Sequence, residues 1–178
     1  ALKINFNFPA ILNNLANINE RTGNLDKAHQ YLEMSFRLNP NYALTNLNFG
    51  LYFIKQGEPE KAIFHLKMAT NPETSGQQEA YLGIAFKQKG LSGRAITHFR
   101  EAVRINSSDT MSHLHMAEIY FNKGYRDKAG KAVEKALGLM MGDEARFRNV
   151  LDNLLKRTDM ENMRPDPGVV LPLIRGAL

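Results

Sequence analysis

The chain has no cysteine and no tryptophan among its 178 residues. Without thiols it can build neither a disulfide framework nor a thiolate metal site, and redox chemistry gives no compartment, so cytoplasm stands only as the default expectation. Long apolar runs are missing too. No stretch approaches the roughly 20 residues that cross a bilayer, and no basic-then-apolar opening reads as a secretory leader, so no membrane contact is expected of this stretch of chain. Charge of one sign is not concentrated anywhere. The formal charge is +5, but Lys and Arg alternate with Asp and Glu as they do on solvated faces, so anionic partners are favoured only mildly. What is present is ordinary for a soluble globular chain: 43% apolar and 23% charged residues, enough to bury a core.

A fixed period organises what is there. Gly23, Gly57, Gly90 and Gly124 fall at intervals of 34, 33 and 34, and Ala28, Ala62, Ala95 and Ala129 follow five residues behind them. Upstream of each glycine stands a small residue (Ala16, Gly50, Gly83, Ala117) preceded by a large apolar one (Leu15, Phe49, Leu82, Met116). Three residues after the small one come Asn19, Phe53, Phe86 and Tyr120, which gives a helix with a large-small-large face. Downstream of the glycine, the alanine is followed by Leu32, Leu66, Phe99 and Val133, then by Ser35, Ala69, Ala102 and Ala136, at four- and three-residue steps. That spacing predicts a second amphipathic helix. The glycine lies between the two, where a short turn favours a residue that tolerates positive φ. Pro40 and Pro72 stop two of the second helices, while Pro59 and Ser92 suit the start of two others.

These residues resemble the tetratricopeptide repeat, whose pattern is W-x2-L-G-x2-Y, then A-x3-F, then a terminal proline, over a period of about 34 residues. The second unit carries Phe49-Gly50, Phe53, Gly57, Ala62, Leu66 and Ala69; the third carries Leu82-Gly83, Phe86, Gly90, Ala95, Phe99 and Ala102. The family's tryptophan place holds Leu12, Asn46, Glu79 and His113, proline is absent after the third and fourth units, and the second is one residue short near Asn71-Pro72. The resemblance implies an all-α fold, a right-handed α-solenoid of antiparallel helix pairs with repeats over 9–42, 43–75, 76–109 and 110–141. Laid on the same frame, Ala1-Leu2-Lys3-Ile4-Asn5 matches the closing phrases Ser35-Phe36-Arg37-Leu38-Asn39 and Ala102-Val103-Arg104-Ile105-Asn106. Residues 1–8 are therefore expected to be the tail of a truncated preceding repeat, in a fragment of a longer protein.

Past the fourth unit, residues 142–158 read as a capping helix: Phe147, Val150, Leu151, Leu154 and Leu155 form one stripe, with Asp143 and Glu144 at its start and Lys156 and Arg157 at its end. Such a cap would cover the apolar face the last repeat leaves. Residues 159–178 contain Val169-Val170-Leu171-Pro172-Leu173-Ile174, an apolar run interrupted by proline. Two readings of that tail stay open: an extended strand docked on the array or on a second copy, giving self-association, or a disordered end.

No enzymatic signature is present. His113 and His115, two apart on a helix, diverge by about 200° and cannot form a local metal pair. His65 and His98 occupy one slot in successive second helices, which favours repeat architecture over catalysis. No phosphate loop or nucleophile elbow is present. Asn106-Ser107-Ser108 matches a glycosylation acceptor by a motif too short to carry weight. No catalytic residue, metal or cofactor is expected.

The resemblance places function on a surface, because in arrays of this family the first helices line a concave groove that receives extended or helical peptides. Projected onto that face, the first helices offer Asn13 and Asn17; Leu44, Leu47, Asn48, Leu51 and Ile54; Tyr81 and Ile84; and Leu114, His115 and Phe121. The stripe Leu44-Leu47-Leu51-Ile54 is the sharpest signal, since it lies opposite Phe49 and Phe53 and is surplus to the helix's ordinary core. Either neighbouring helices or the tail cover it, or it floors a site for a partner segment. Asparagines at its polar end offer both donor and acceptor to a peptide backbone. Some family members clamp a chaperone's C-terminal carboxylate with lysines and an arginine beside two asparagines. Asn17 and Asn48 stand at the asparagine places here, but Asn13, Gln77 and Tyr81 hold the cationic ones, so no such clamp is expected. The expected function is a protein-interaction scaffold binding a protein or peptide ligand. The alternatives are a recruitment or regulatory module of a larger enzyme or membrane-anchored protein, and a nucleic-acid-binding repeat, which the scarcity of groove cations disfavours.

Overall fold

The computed structural model describes residues 8–140. The expected preceding-repeat tail, but for Phe8, the capping helix and the apolar tail lie outside the described residues. Among the described residues there are eight α-helices: α1 (Phe8–Arg21), α2 (Leu25–Leu38), α3 (Ala43–Lys55), α4 (Pro59–Met68), α5 (Ser75–Gln88), α6 (Ser92–Ile105), α7 (Thr110–Asn122) and α8 (Arg126–Leu139). No strand occurs among the described residues. Each odd helix pairs with the even helix that follows it. The chain divides into two compact units, the first (Ala1–Ile105) with three hairpins and the second (Asn106–Leu178) with one described hairpin.

Each hairpin turns on the phased glycine. Gly23, Gly57, Gly90 and Gly124 have φ of 80°, 72°, 75° and 76°, and no other described residue has positive φ. A side chain there would meet open space, so backbone conformation alone demands glycine. The next amide then reaches back to the first helix: Asn24 N to Asn19 O at 2.8 Å, Glu58 N to Phe53 O at 2.9 Å, and Leu91 N to Phe86 O at 2.9 Å. These bonds satisfy carbonyls that the helix end would otherwise leave unpaired.

Within a hairpin, the small residue of the first helix receives the large residue of the second. Leu66 and Phe99 are fully buried, and an added Cβ at Gly50 or Gly83 would lie 2.4 Å from Leu66 or 2.5 Å from the Phe99 ring. In the first hairpin Ala16 and Leu32 hold the same places, 2% and 3% exposed. Second-helix alanines Ala28, Ala62 and Ala95 are almost wholly enclosed, which lets helix axes approach closely.

The second hairpin shows what its missing residue does. α4 runs for 10 residues where α2 and α6 run for 14. Pro72 cannot continue a helix and biases Asn71 toward extended backbone. Asn71 indeed has φ −147° and ψ 126°, its side chain accepts from Glu73 N, and a single 3-10 turn (Pro72–Thr74) leads into α5.

Candidate functional site

In the first unit, α3 lies beside both α1 and α5, and polar bonds stitch these first helices together. Asn48 Nδ2 donates to Asn13 Oδ1 at 2.8 Å, Lys55 pairs with Glu20, and Gln88 Nε2 donates to Ile54 O at 2.9 Å. The row they form is the wall on which the sequence-predicted residues were expected to lie.

Several of them do not lie on it. Leu47 and Ile54 are 3% and 7% exposed, so half of the leucine-rich stripe is sealed into the protein's own packing. The reason is visible at the equivalent place one repeat earlier. Asn13, expected in the groove, is fully buried and bonds to Ser35 Oγ on α2 at 3.0 Å and to Thr45 Oγ1 on α3 at 2.8 Å. That slot therefore faces the seam between a hairpin's second helix and the next first helix, and Leu47 follows it by the repeat. A first helix in a stack buries two sides, one against its own partner and one against the next hairpin.

What remains on the wall is half-buried: Asn17 on α1; Leu44, Asn48 and Leu51 on α3; Tyr81 and Ile84 on α5. Leu44 and Leu51 stand seven residues apart on one helix, two turns along a single face. The chemistry offered is apolar contact with interspersed amides. Lys55 is neutralised by Glu20, so no strong anion trap is built there.

The remaining expected residues belong to the second unit. Leu114 is 5% exposed and forms a core cluster with Ala136 and Met140 of that unit's hairpin and its end, so it too is packing rather than surface. His115 is half-buried with Glu118 Oε2 3.8 Å away, and Phe121 is half-buried.

The places where the family pattern carries tryptophan turn out to have a polar solution. Asn46, fully buried, receives His65 of α4 (Oδ1 to Nδ1, 3.0 Å) and donates to Pro40 O at 2.7 Å. One repeat on, Glu79 holds His98 of α6 at 2.7 Å, with the imidazole stacked on Phe86 at 5.0 Å between centroids. The two histidines are thus explained as ties between the helices of a hairpin. Among the described residues no group of three or more His, Cys, Asp or Glu side chains is arranged to hold a metal, and no helix is long and apolar enough to cross a membrane.

His65 also has an energetic consequence. It is stacked on Phe49 at 4.6 Å and on Phe53 at 5.5 Å, and burial pushes its imidazole below the ordinary value of 6.5. Burial likewise lowers His113, reinforced by Lys135 and opposed by Asp109. The folded chain then binds these protons more weakly than the unfolded chain. Stability is full above about pH 6.5 and falls as pH drops below it. Thermal melts should show Tm decreasing from about pH 7 to pH 5, with a shallower decrease in His65→Gln.

The cluster of Asn13, Ser35 and Thr45 was not anticipated from sequence. Its signal was there: Ser35 replaces the Ala69, Ala102 and Ala136 of later units, and Asn13 stands where Leu47 and Leu114 stand. Polar residues at apolar slots of adjacent elements imply that they meet.

Comparison with known proteins follows the same lines. Two family models described as tetratricopeptide repeat match residues 9–42 and 112–139. Among solved structures, a crystal structure of MamA protein is 22% identical with TM-score 0.69, covering 96% of this chain and 90% of that one. MamA residues 41 to the end from Desulfovibrio magneticus RS-1 are 17% identical with TM-score 0.67, covering 76% of this chain and 77% of that one. A chain of the APC/C hetero-tetramer Cut9-Hcn1 is 21% identical with TM-score 0.74, covering 84% of this chain but 29% of that one. These likenesses show the fold, an all-α array of antiparallel helix pairs. No curated protein matches the chain.

Proposed function

Because this chain is a tetratricopeptide-repeat protein, we propose that it is a protein-interaction scaffold whose first unit receives a peptide along the wall formed by α1, α3 and α5. The observation that carries this reading is the division of one stripe. Leu47 and Ile54 are withdrawn into packing while Leu44 and Leu51, on the same helix, keep part of their surface in water beside the amides of Asn17 and Asn48. Apolar surface flanked by amides suits a polypeptide, which offers apolar side chains and backbone polar groups in alternation. The buried members set the shape of the wall, and the half-open ones make the contact.

A random peptide library displayed on phage and selected on the purified chain should yield binders. Their affinity should fall by about tenfold or more in Leu44→Asp plus Leu51→Asp, because each charge removes apolar burial worth a tenfold factor. Helicity by circular dichroism and Tm should stay near parental, since neither leucine is part of the sealed core. Binders indifferent to the double change would refute the placement of the site.

A further inference from the structure

The first hairpin carries a stacking face that no described helix completes. α3 rests on the second helix before it at three places: Thr45 Oγ1 lies 2.6 Å from Ser35 Oγ, the Phe49 ring 5.9 Å from that of Phe36, and the Tyr52 ring 5.1 Å from that of His29. One repeat earlier the same places hold Ile11, Leu15 and Ile18. No helix precedes α1 among the described residues, and Ile11 and Ile18 are 45% and 58% exposed, with Leu15 half-buried between them. α2 carries a matching row. Its Phe36 marks the side turned to the next hairpin, since that ring meets Phe49 and His65. At about 100° per residue, Tyr31, Met34 and Leu38 lie about 140–160° around the helix from it. Met34 and Leu38 are 51% and 61% exposed, and Tyr31 is half-buried. Two apolar rows thus stand side by side on one flank of the hairpin.

The make-up of the rows indicates what completes them. Later repeats put a polar side chain at the Ile11 place: Thr45 meets Ser35, Gln78 donates to Leu66 O at 2.7 Å, and Ser112 meets Asp109. Isoleucine there calls for an apolar neighbour instead. α1 carries no charge before Glu20, so nothing along the row repels a copy of itself. Stacking in this chain sets a first helix on a second helix, and this flank offers one row of each. We propose that the flank is a self-association surface, on which a second copy of the chain supplies both complements at once. A two-fold axis running along the hairpin lays α1 of each copy on α2 of the other. Such an axis keeps each residue at its own level. Asn13 bonds to Ser35 within the hairpin, so Ile11, two residues earlier, meets Leu38 of the other copy, three residues later. Helices of 14 residues are about 21 Å long, and two of them about 10 Å apart give a footprint of roughly 400 Å² per copy before side-chain relief is counted. That is small for a specific interface, so the dimer is reversible and of micromolar strength. The surface is separate from the peptide wall and does not depend on it.

Sedimentation equilibrium on the full chain, with Ile11→Asp and Leu38→Lys as variants, tests this. The parent should fit a monomer–dimer equilibrium, and each variant should raise the dissociation constant by about tenfold or more, because it sets a charge against an apolar row. An equimolar mixture of the two variants should recover dimer near the parental level. In the mixed pair one seam matches the new aspartate with the new lysine, and the other seam is unaltered. Both side chains are exposed in the single chain, so helicity and Tm of the dilute variants should stay near parental. A parent that remains monomeric at about 0.5 mM, a dimer indifferent to both changes, or a mixture no better than its components would each overturn the proposal. A Tm clearly lowered in dilute solution would overturn it as well, since it would mean that the face is covered within the chain itself.

Discussion

Gly83→Ala is expected to destabilise the first unit by about 2 kcal/mol, despite alanine being the better helix former by roughly 1 kcal/mol. The new methyl would lie 2.5 Å from the ring of Phe99, which is itself fully buried. Accommodation requires α5 and α6 to separate, and that strains the alanine contacts along the whole hairpin. Gly50→Ala is the internal comparison. Its methyl would meet Leu66, and the first hairpin already packs an alanine, Ala16, in the place that faces Leu32. An Ala-Leu pair thus fits this architecture, and the loss for Gly50→Ala should be smaller than for Gly83→Ala. Urea melts of the two variants give the order. Combining Gly83→Ala with Phe99→Leu recreates the first hairpin's pair, and the double change should cost less than the sum of the single ones.

Asn13→Ala should be nearly as damaging, at about 2–3 kcal/mol, although asparagine is commonly a surface residue. The side chain is fully buried and ties α1 to α2 and α3 through Ser35, Thr45 and Asn48. Truncation leaves a cavity and takes a partner from each of these groups, where the penalty for an unsatisfied buried group applies. Asn13→Leu supplies the volume that the second and fourth repeats use at this slot, Leu47 and Leu114, and Ser35 and Thr45 retain their mutual bond. Its cost should be lower than that of alanine. Chemical denaturation of both variants checks the pair, and an alanine variant within about 0.5 kcal/mol of the parent would show that the cluster is solvated rather than packed.

The hairpins were legible because their signals are local and repeated. A glycine at fixed phase, an alanine five residues on, and a small residue facing a large one recur four times, and each has one physical cause, a turn or a close approach. The wall was legible only in part. A single-helix projection knows the direction of Phe49 and Phe53 and assigns the opposite side to water, so Leu47 and Ile54 were read as floor. Stacking adds a second buried side that no one helix reveals, and the same omission misplaced Leu114 and Asn13. Leu44 and Leu51, by contrast, are half-buried rather than sealed. The polar solution at the tryptophan places was hidden for another reason. Asn46 with His65 and Glu79 with His98 are each 19 residues apart, so their pairing appears only once the hairpin is closed.

A bound polypeptide should lie along the wall that α1, α3 and α5 form in the first unit. Titrating the isotope-labelled chain with a library-selected peptide and following amide and methyl NMR signals tests it most directly. Shifts should concentrate at Asn17, Leu44, Asn48, Leu51, Tyr81 and Ile84, with an intermolecular contact from peptide protons to the Leu44 or Leu51 methyl groups. Shifts confined to the outward faces of α2, α4 and α6, with those methyl groups unmoved, would contradict it.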